Sequence, residues 1–255
     1  MSEEYVRFVH RAGKPAWGRR QGEKLEVLSH APWAAECKPT GESLAAHGVE
    51  WLCPAEPSKI VCVGLNYKDH AAEMGDALPD EPKIFMKPVS ALLQPGKPIR
   101  LPKASKRVDY EAELALVVGK QVGPGIDDED ALFGYTCAND VTARDLQKVD
   151  GQWTRAKGFD TFCPLGPTLV RGADVGDCAV ECRVNGALKQ SSRTSALIFD
   201  PHQILNFVAG IMTLMPGDVI LTGTPAGIGP LAPGDEVEVH IEGIGRLTNL
   251  VIEGN

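Results

Sequence analysis

At 255 residues, with 43% hydrophobic and 24% charged side chains, the chain is long enough for one large core and has an ordinary globular composition. A formal charge of −8 argues against nucleic acid or an anionic membrane as the main partner. No apolar run reaches membrane-spanning length, and the start MSEEYVRFVH is acidic where a signal peptide is basic. Seven cysteines without a C-x-x-C pair argue against a disulfide framework or a thiolate zinc site and fit a reducing cytoplasm.

The first fifty or so residues hold short strand-like pieces, YVRFVH and KLEVLSH, around the polar turn RRQGEK. WLCPAEPSK reads as a linker, so a small β-rich N-terminal domain is expected over residues 1–56 and a second domain over 57–255. KIVCVGLNY predicts a compact strand ending at Gly64, and DHAAEM a short helix stopped by Gly75. On that helix His70 and Glu73 stand three apart and face the same way. A carboxylate beside an imidazole fixes its tautomer and raises its basicity, giving a general-base pair; a weak surface contact has the same spacing. The turn-rich GDALPDEP is expected to be mobile, and KIFMKP to be a strand carrying Lys87.

VDYEAELALVVGK, residues 108–120, predicts a strand whose two faces differ. Asp109, Glu111, Glu113, Ala115 and Val117 fall on one side, the apolar residues from Tyr110 to Val118 on the other. Either the acidic half faces water, or Glu111 and Glu113 point together into a partly enclosed site that needs a cation, because adjacent carboxylates repel. GYTCANDVTARDLQ supplies further acids, Asp140 and Asp145. Asp140 sits where an apolar strand gives way to a turn, placed either to ligate a cation or to cap a helix starting at VTARDLQ. Three oxygen donors without Cys or His suit Mg²⁺, Mn²⁺ or Ca²⁺ rather than zinc.

Lys87 and Lys157 are bordered by apolar or small residues, and either could bind an anion or enolate or simply snorkel to the surface. VNGALKQ carries the Asn-Gly hairpin signal. DPHQILNFVAGIMTLMPGD predicts the clearest helix, capped by Asp200 with Gln203 closing a capping box, and stopped by Pro216-Gly217. In TGTPAG, Thr224 and the glycine N–H groups could hold a carboxylate or merely form a turn. The whole is strand-heavy α+β, without the β-α alternation of a doubly wound sheet.

In this order, CVGLNYKDHAAEMG, KIFMKP, VDYEAELALVVG, GYTCANDVTARDLQ, KGFDTFCPLGP, VNGALKQ, PGDVILTGTPAGIG and PGDEVEVHIEGIG resemble the fumarylacetoacetate hydrolase family over roughly residues 58–252. The resemblance implies a mixed β-sandwich roll with peripheral helices behind a small N-terminal domain, commonly as a homodimer. It implies Glu111, Glu113 and Asp140 as ligands of Mg²⁺ (or Mn²⁺, Ca²⁺), Lys157 on the metal-bound substrate, and His70 with Glu73 as the catalytic pair. Lys87, Arg144, Gln147 and Thr224 are expected around the substrate. The implied substrates are small 2-oxo acids reacting through an enolate held by the cation. Hydrolysis of acylpyruvate-type C–C bonds and isomerisation or decarboxylation of 2-hydroxy-dienedioates in aromatic catabolism compete. Oxaloacetate decarboxylation or tautomerisation is an alternative, and a non-catalytic metal-dependent carboxylate-binding protein is the alternative from another class.

Overall fold

A computed structural model of the chain describes residues 2–74, 77–126 and 129–254. In chain order it contains β1 (Glu3–Val9), β2 (Pro15–Gln21), β3 (Lys24–Leu28), β4 (Pro39–Ala45), β5 (Trp51–Leu52), β6 (Ile60–Gly64), α1 (Lys68–Met74) and β7 (Lys83–Lys87). There follow β8 (Leu92–Leu93), β9 (Ile99–Leu101), β10 (Val108–Tyr110), β11 (Ala112–Val118), β12 (Leu132–Asn139), β13 (Thr142–Ala143), α2 (Arg144–Asp150) and α3 (Thr154–Lys157). The chain then runs through β14 (Cys163–Pro164), β15 (Thr168–Arg171), β16 (Ala179–Val184), β17 (Ala187–Arg193) and α4 (Pro201–Ile211). It closes with β18 (Val219–Leu221), β19 (Gly229–Pro230), β20 (Glu236–Ile241) and β21 (Gly245–Glu253).

The backbone of the molecule is one large mixed sheet in the order β4-β3-β2-β1-β15-β12-β11-β18-β6-β7, with β5 added to β1. A second sheet, β17-β16-β20-β21-β9, stacks on it where β11 and β12 meet β16 and β20. The fold is therefore the strand-heavy sandwich with few helices that was expected. β11 lies at its centre, between β12 and β18, and every one of its residues is buried. Leu114, Leu116 and Val118 enter the core between the sheets, while Ala115 and Val117 enter a second core on the other face. The alternation read from the sequence thus holds, with both faces covered.

Residues 51–59 are not a linker. They begin as β5 on β1, and Cys53, Pro54 and Ala55 are buried. The N-terminal strands continue the large sheet through the β1–β15 pairing rather than forming a sheet of their own. All seven cysteines are free. Among the described residues no helix is long and apolar enough to cross a membrane. The stop expected at Gly75 lies outside the described residues.

Two local signals are realised as read. Asn185 and Gly186 both have positive φ, 52° and 77°, as a two-residue hairpin between β16 and β17 requires. Asp200 accepts from the N–H groups of His202 and Gln203, and the Gln203 side chain accepts from Asp200 N, completing the capping box of α4. Its C-terminus comes earlier than Pro216-Gly217: the helix ends at Ile211, because Leu214 pairs in extended form with Val122. Asp200→Ala should cost about 1 kcal/mol of stability, read as a shift in the urea midpoint; an unchanged midpoint would show that the box adds nothing.

Candidate active site

The strand expected over residues 108–120 is broken at Glu111. β10 pairs with β13 and β19 in a small separate sheet, whereas β11 belongs to the large one. At the break, Glu111 N donates to Asn139 Oδ1 (2.9 Å) and Asp140 N donates to Glu111 O (2.9 Å). These bonds tie the end of β12 to the break and bring Asp140 beside Glu111. Two residues further on, Glu113 points to the same side as Ala115 and Val117. Glu111, Glu113 and Asp140 are 5%, 2% and 1% exposed, which excludes a water-facing acidic half.

One oxygen from each of these three carboxylates lies within 4.8 Å of the others. Asp140 does not cap a helix: α2 starts at Arg144 with Ala143 as its unbonded cap. Asp145, the other acid of that segment, turns away and accepts from Ser105 Oγ and Lys106 N.

Buried acids on this scale need counter-charges. Lys157 Nζ donates to Glu111 Oε2 (2.8 Å) and Asp140 Oδ2 (2.6 Å). Arg144 donates to Glu111 Oε1, to Asp109 Oδ2 (2.9 Å) and to Gln147 Oε1 (2.5 Å). Lys87 Nζ donates to Asp140 Oδ1 (2.5 Å) and Val141 O (3.2 Å) with its side chain wholly buried. It stands behind Asp140 and outside the cavity lining, braced against the Asp140 carboxylate.

Burial would raise the Glu111 carboxyl, but Lys157 and Arg144 outweigh it and lower its pKa to about 2. Glu113 goes the other way. Burial, then repulsion from Asp140 and Glu111, push it well above its ordinary value, against weaker help from Lys157 and the Gly223 N–H. Among the described residues no lysine or arginine makes an ion pair with Glu113; its Oε2 accepts from Gly223 N at 2.7 Å. Lys157 is held charged well above its usual range: burial opposes this, but Asp140 and Glu111 prevail.

The glycine-rich loop after β18 therefore does hold carboxylates, and they are the protein's own. Gly223 N serves Glu113, and Gly227 N serves Glu73 at 3.2 and 3.3 Å. Thr224 Oγ1 donates to Ala112 O and accepts from Gln190 Nε2, so its hydroxyl proton is already used. On α1, His70 Nδ1 lies 3.1 Å from Glu73 Oε2, and the imidazole is buried. With Nδ1–H donated to Glu73, the lone pair resides on Nε2.

These groups line one cavity of about 130 Å³: His70, Glu111, Glu113, Asp140, Arg144, Gln147, Lys157 and Thr224, with Val63, Gly64, Leu65, Lys83, Phe85 and Trp153 completing the wall. Glu73 braces His70 from outside it. Phe85 and Trp153 pack edge to face, ring centroids 5.0 Å apart. Trp153 also covers Gly64 so closely that a Cβ there would meet the indole at 2.6 Å.

Sequence reasoning missed Asp109, Asn139, Gln190 and the Phe85–Trp153 wall. Gln190, fully buried, accepts from Ala112 N and donates to Thr224 Oγ1 and Pro225 O, bolting the acidic strand to the glycine loop. Only the oddity of a Gln inside a hairpin strand could have signalled it.

The donor set fits a hard divalent cation. Bonds of roughly 2.0–2.6 Å place ligand oxygens up to twice that far apart, which accommodates the carboxylate spacing. A cation would take the place of a proton on Glu113 and offset the repulsion among the three acids. Glu111, Glu113 and Asp140 would hold it.

The fumarylacetoacetate hydrolase C-terminal family model matches residues 59–252, and a Rv2993c-like N-terminal model matches residues 4–54. A Methanocaldococcus jannaschii protein, MJ1656, is 57% identical over 198 residues, covering 77% of this chain and 84% of the relative. The mitochondrial oxaloacetate tautomerase fahd2 of Xenopus laevis is 44% identical over 225 residues, 82% of this chain and 70% of the relative. The crystal structure of a 2-hydroxyhepta-2,4-diene-1,7-dioate isomerase from Mycobacterium marinum superposes with a TM-score of 0.90 at 42% identity, covering 99% of each chain. With the family model matching residues 59–252, most of the chain, the chain belongs to the fumarylacetoacetate hydrolase family.

Proposed function

We propose that this protein is a divalent-cation-dependent isomerase that moves a proton between C3 and the 2-oxygen of a small 2-oxo acid, with a four-carbon diacid such as oxaloacetate as substrate. One observation carries the reading: the three-carboxylate cluster and the imidazole of His70, braced by Glu73 from behind, open onto the same small cavity. A pure binding site needs no oriented base. At about 130 Å³ the cavity is well below the roughly 300–1,000 Å³ of pockets for drug-sized ligands, which favours a short substrate. The names of the similar proteins, an oxaloacetate tautomerase and a dienedioate isomerase, both describe proton-shifting chemistry on 2-oxo or 2-hydroxy diacids.

When bound, the cation supplies Lewis acidity toward the 2-oxygen. His70 Nε2 takes the proton from C3, and Glu73 steadies the imidazolium that results. The imidazolium then passes that proton to the enolate 2-oxygen, directly or through a water; in the reverse direction His70 takes the 2-hydroxyl proton and delivers it to C3, so the isomers interconvert with no net change in the protein. Two of the three Lys157 N–H bonds go to Glu111 and Asp140; among the described residues the third has no hydrogen-bond acceptor, and Nζ, 5.1 Å from the Phe85 ring centroid, can turn it to the 2-oxygen as negative charge builds there. Phe85 and Trp153, packed edge to face, form an aromatic wall on that side of the cavity.

The test follows the decay of enol-oxaloacetate absorbance with Mg²⁺ or Mn²⁺, with and without chelator, and assays the products. Ketonisation without CO₂ or pyruvate is expected, lost on chelation, and reduced about 10²- to 10⁴-fold in kcat by His70→Ala. Release of CO₂ or of two carbon fragments would replace isomerisation by decarboxylation or hydrolysis. Unchanged turnover in His70→Ala would remove the base, and a wild type that binds but never turns over would leave a carboxylate-binding protein.

A further inference from the structure

Besides the imidazole, three cationic side chains line the cavity: Arg144, Lys157 and Lys83. The first two are spent on the protein's own acids and amide, as described. Lys83 differs. Among the described residues no carboxylate pairs with it, and its ammonium rests on the face of Trp153, 4.8 Å from Nζ to the ring centroid.

Its position is set by the fold. Lys83 begins β7 directly opposite Gly64, the last residue of β6, at the edge of the large sheet. The missing side chain at Gly64 lets the Trp153 indole lie against this end of the sheet. That indole supports the Lys83 ammonium at the exposed rim, while the carboxylates and Lys157 lie buried on the inner wall. A cation resting on an aromatic face keeps its N–H donors for an anion on its outer side.

We propose that Lys83 selects diacid substrates by binding the carboxylate remote from the 2-oxo group. The inference rests on the 2-oxo acid reading above and names the substrate's second charge. A ligand whose 2-oxo acid end reaches the inner carboxylate cluster leaves its other end toward the rim. Among the described residues Lys83 is the lining cation with no carboxylate partner to lose. A carboxylate at that end gains an ion pair; a methyl group gains nothing and leaves the ammonium as solvated as before.

Two pairs of probes test this, each pair matched in chain length and differing in the second carboxylate. C3 proton exchange in D₂O, followed by NMR, compares oxaloacetate with 2-oxobutanoate. Calorimetric titration of the Mg²⁺-loaded protein compares the unreactive malate with 2-hydroxybutanoate. Lys83→Met should raise KM for oxaloacetate and Kd for malate roughly tenfold, leave kcat within about twofold, and leave both monoacids unmoved. Lys83→Arg should restore most of the loss. Equal changes for diacid and monoacid, or none for either, would overturn the assignment of Lys83. A wild type that exchanges C3 protons of neither oxo acid would overturn the isomerase reading instead, and the malate titration would still judge Lys83.

Discussion

Glu113→Gln is expected to weaken divalent-cation binding by at least 100-fold and to lower cation-dependent turnover by about 10³, while leaving the metal-free protein as stable as the parent or more so. The two halves of this result have one cause. Glu113 is buried beside Asp140 and Glu111, and its carboxyl is held protonated well above its ordinary range. Glutamine has the shape of that neutral form and keeps an oxygen for the Gly223 N–H. It lacks the charge that a hard cation needs from its ligands.

The pH dependence follows with a definite sign. A carboxyl whose pKa is raised by folding lends stability that is fully present below its unfolded value near 4.5 and is lost as pH rises through the folded value. Metal-free wild type should therefore lose stability toward alkaline pH relative to Glu113→Gln, and added cation should restore it. Glu111, lowered to about 2, behaves oppositely: its contribution is present above 4.5 and is lost as pH falls toward 2. Melting curves of both proteins across pH, with and without Mg²⁺, read all of this. A variant markedly less stable than metal-free wild type at neutral pH would mean that Glu113 is ionised and paired, contrary to the geometry.

Lys157→Met should be the most damaging single change at the site. The ammonium bridges two buried carboxylates, and removing it strands Glu111 and Asp140 with Arg144 and Lys87 alone. Breaking a buried pair from one side typically costs about 3–5 kcal/mol, because the remaining charge stays buried. Urea denaturation in chelator should show a loss of that order. Divalent cation should recover part of it, since it neutralises the same oxygens. Turnover in saturating cation should still fall about 10²- to 10³-fold, the usual cost of one donor to a developing oxyanion. Full stability in chelator would show that the acids are protonated and need no partner; full turnover would remove Lys157 from the chemistry.

The contrast between Glu113 and Lys87 shows where one-dimensional reading succeeds. That Glu113 shares a face with Ala115 and Val117 follows from the period-2 geometry of any strand, and a slip by one residue would have put it in the core with Leu114 and Leu116. The His70–Glu73 contact is likewise one helical turn, and the Asp200–Gln203 box and the Asn185-Gly186 hairpin are set by a few adjacent residues. Lys87 was legible only as a lysine in apolar company. Whether it meets substrate or Asp140 depends on a residue 53 positions away.

What the chain determined by itself, then, was every feature whose cause lies within a turn or a pleat: the strand-heavy class, the facing acids, the braced imidazole, the caps and the hairpin. What only the tertiary structure decided was the electrostatics. The break at Glu111 comes from Asn139, the upward shift of the Glu113 pKa from burial and then Asp140, and the clamp on Ala112 from Gln190, 78 residues on. Side-chain periodicity is a property of the backbone's own geometry, whereas the charge state of a buried acid depends on neighbours and solvent exclusion that exist only once distant segments are packed.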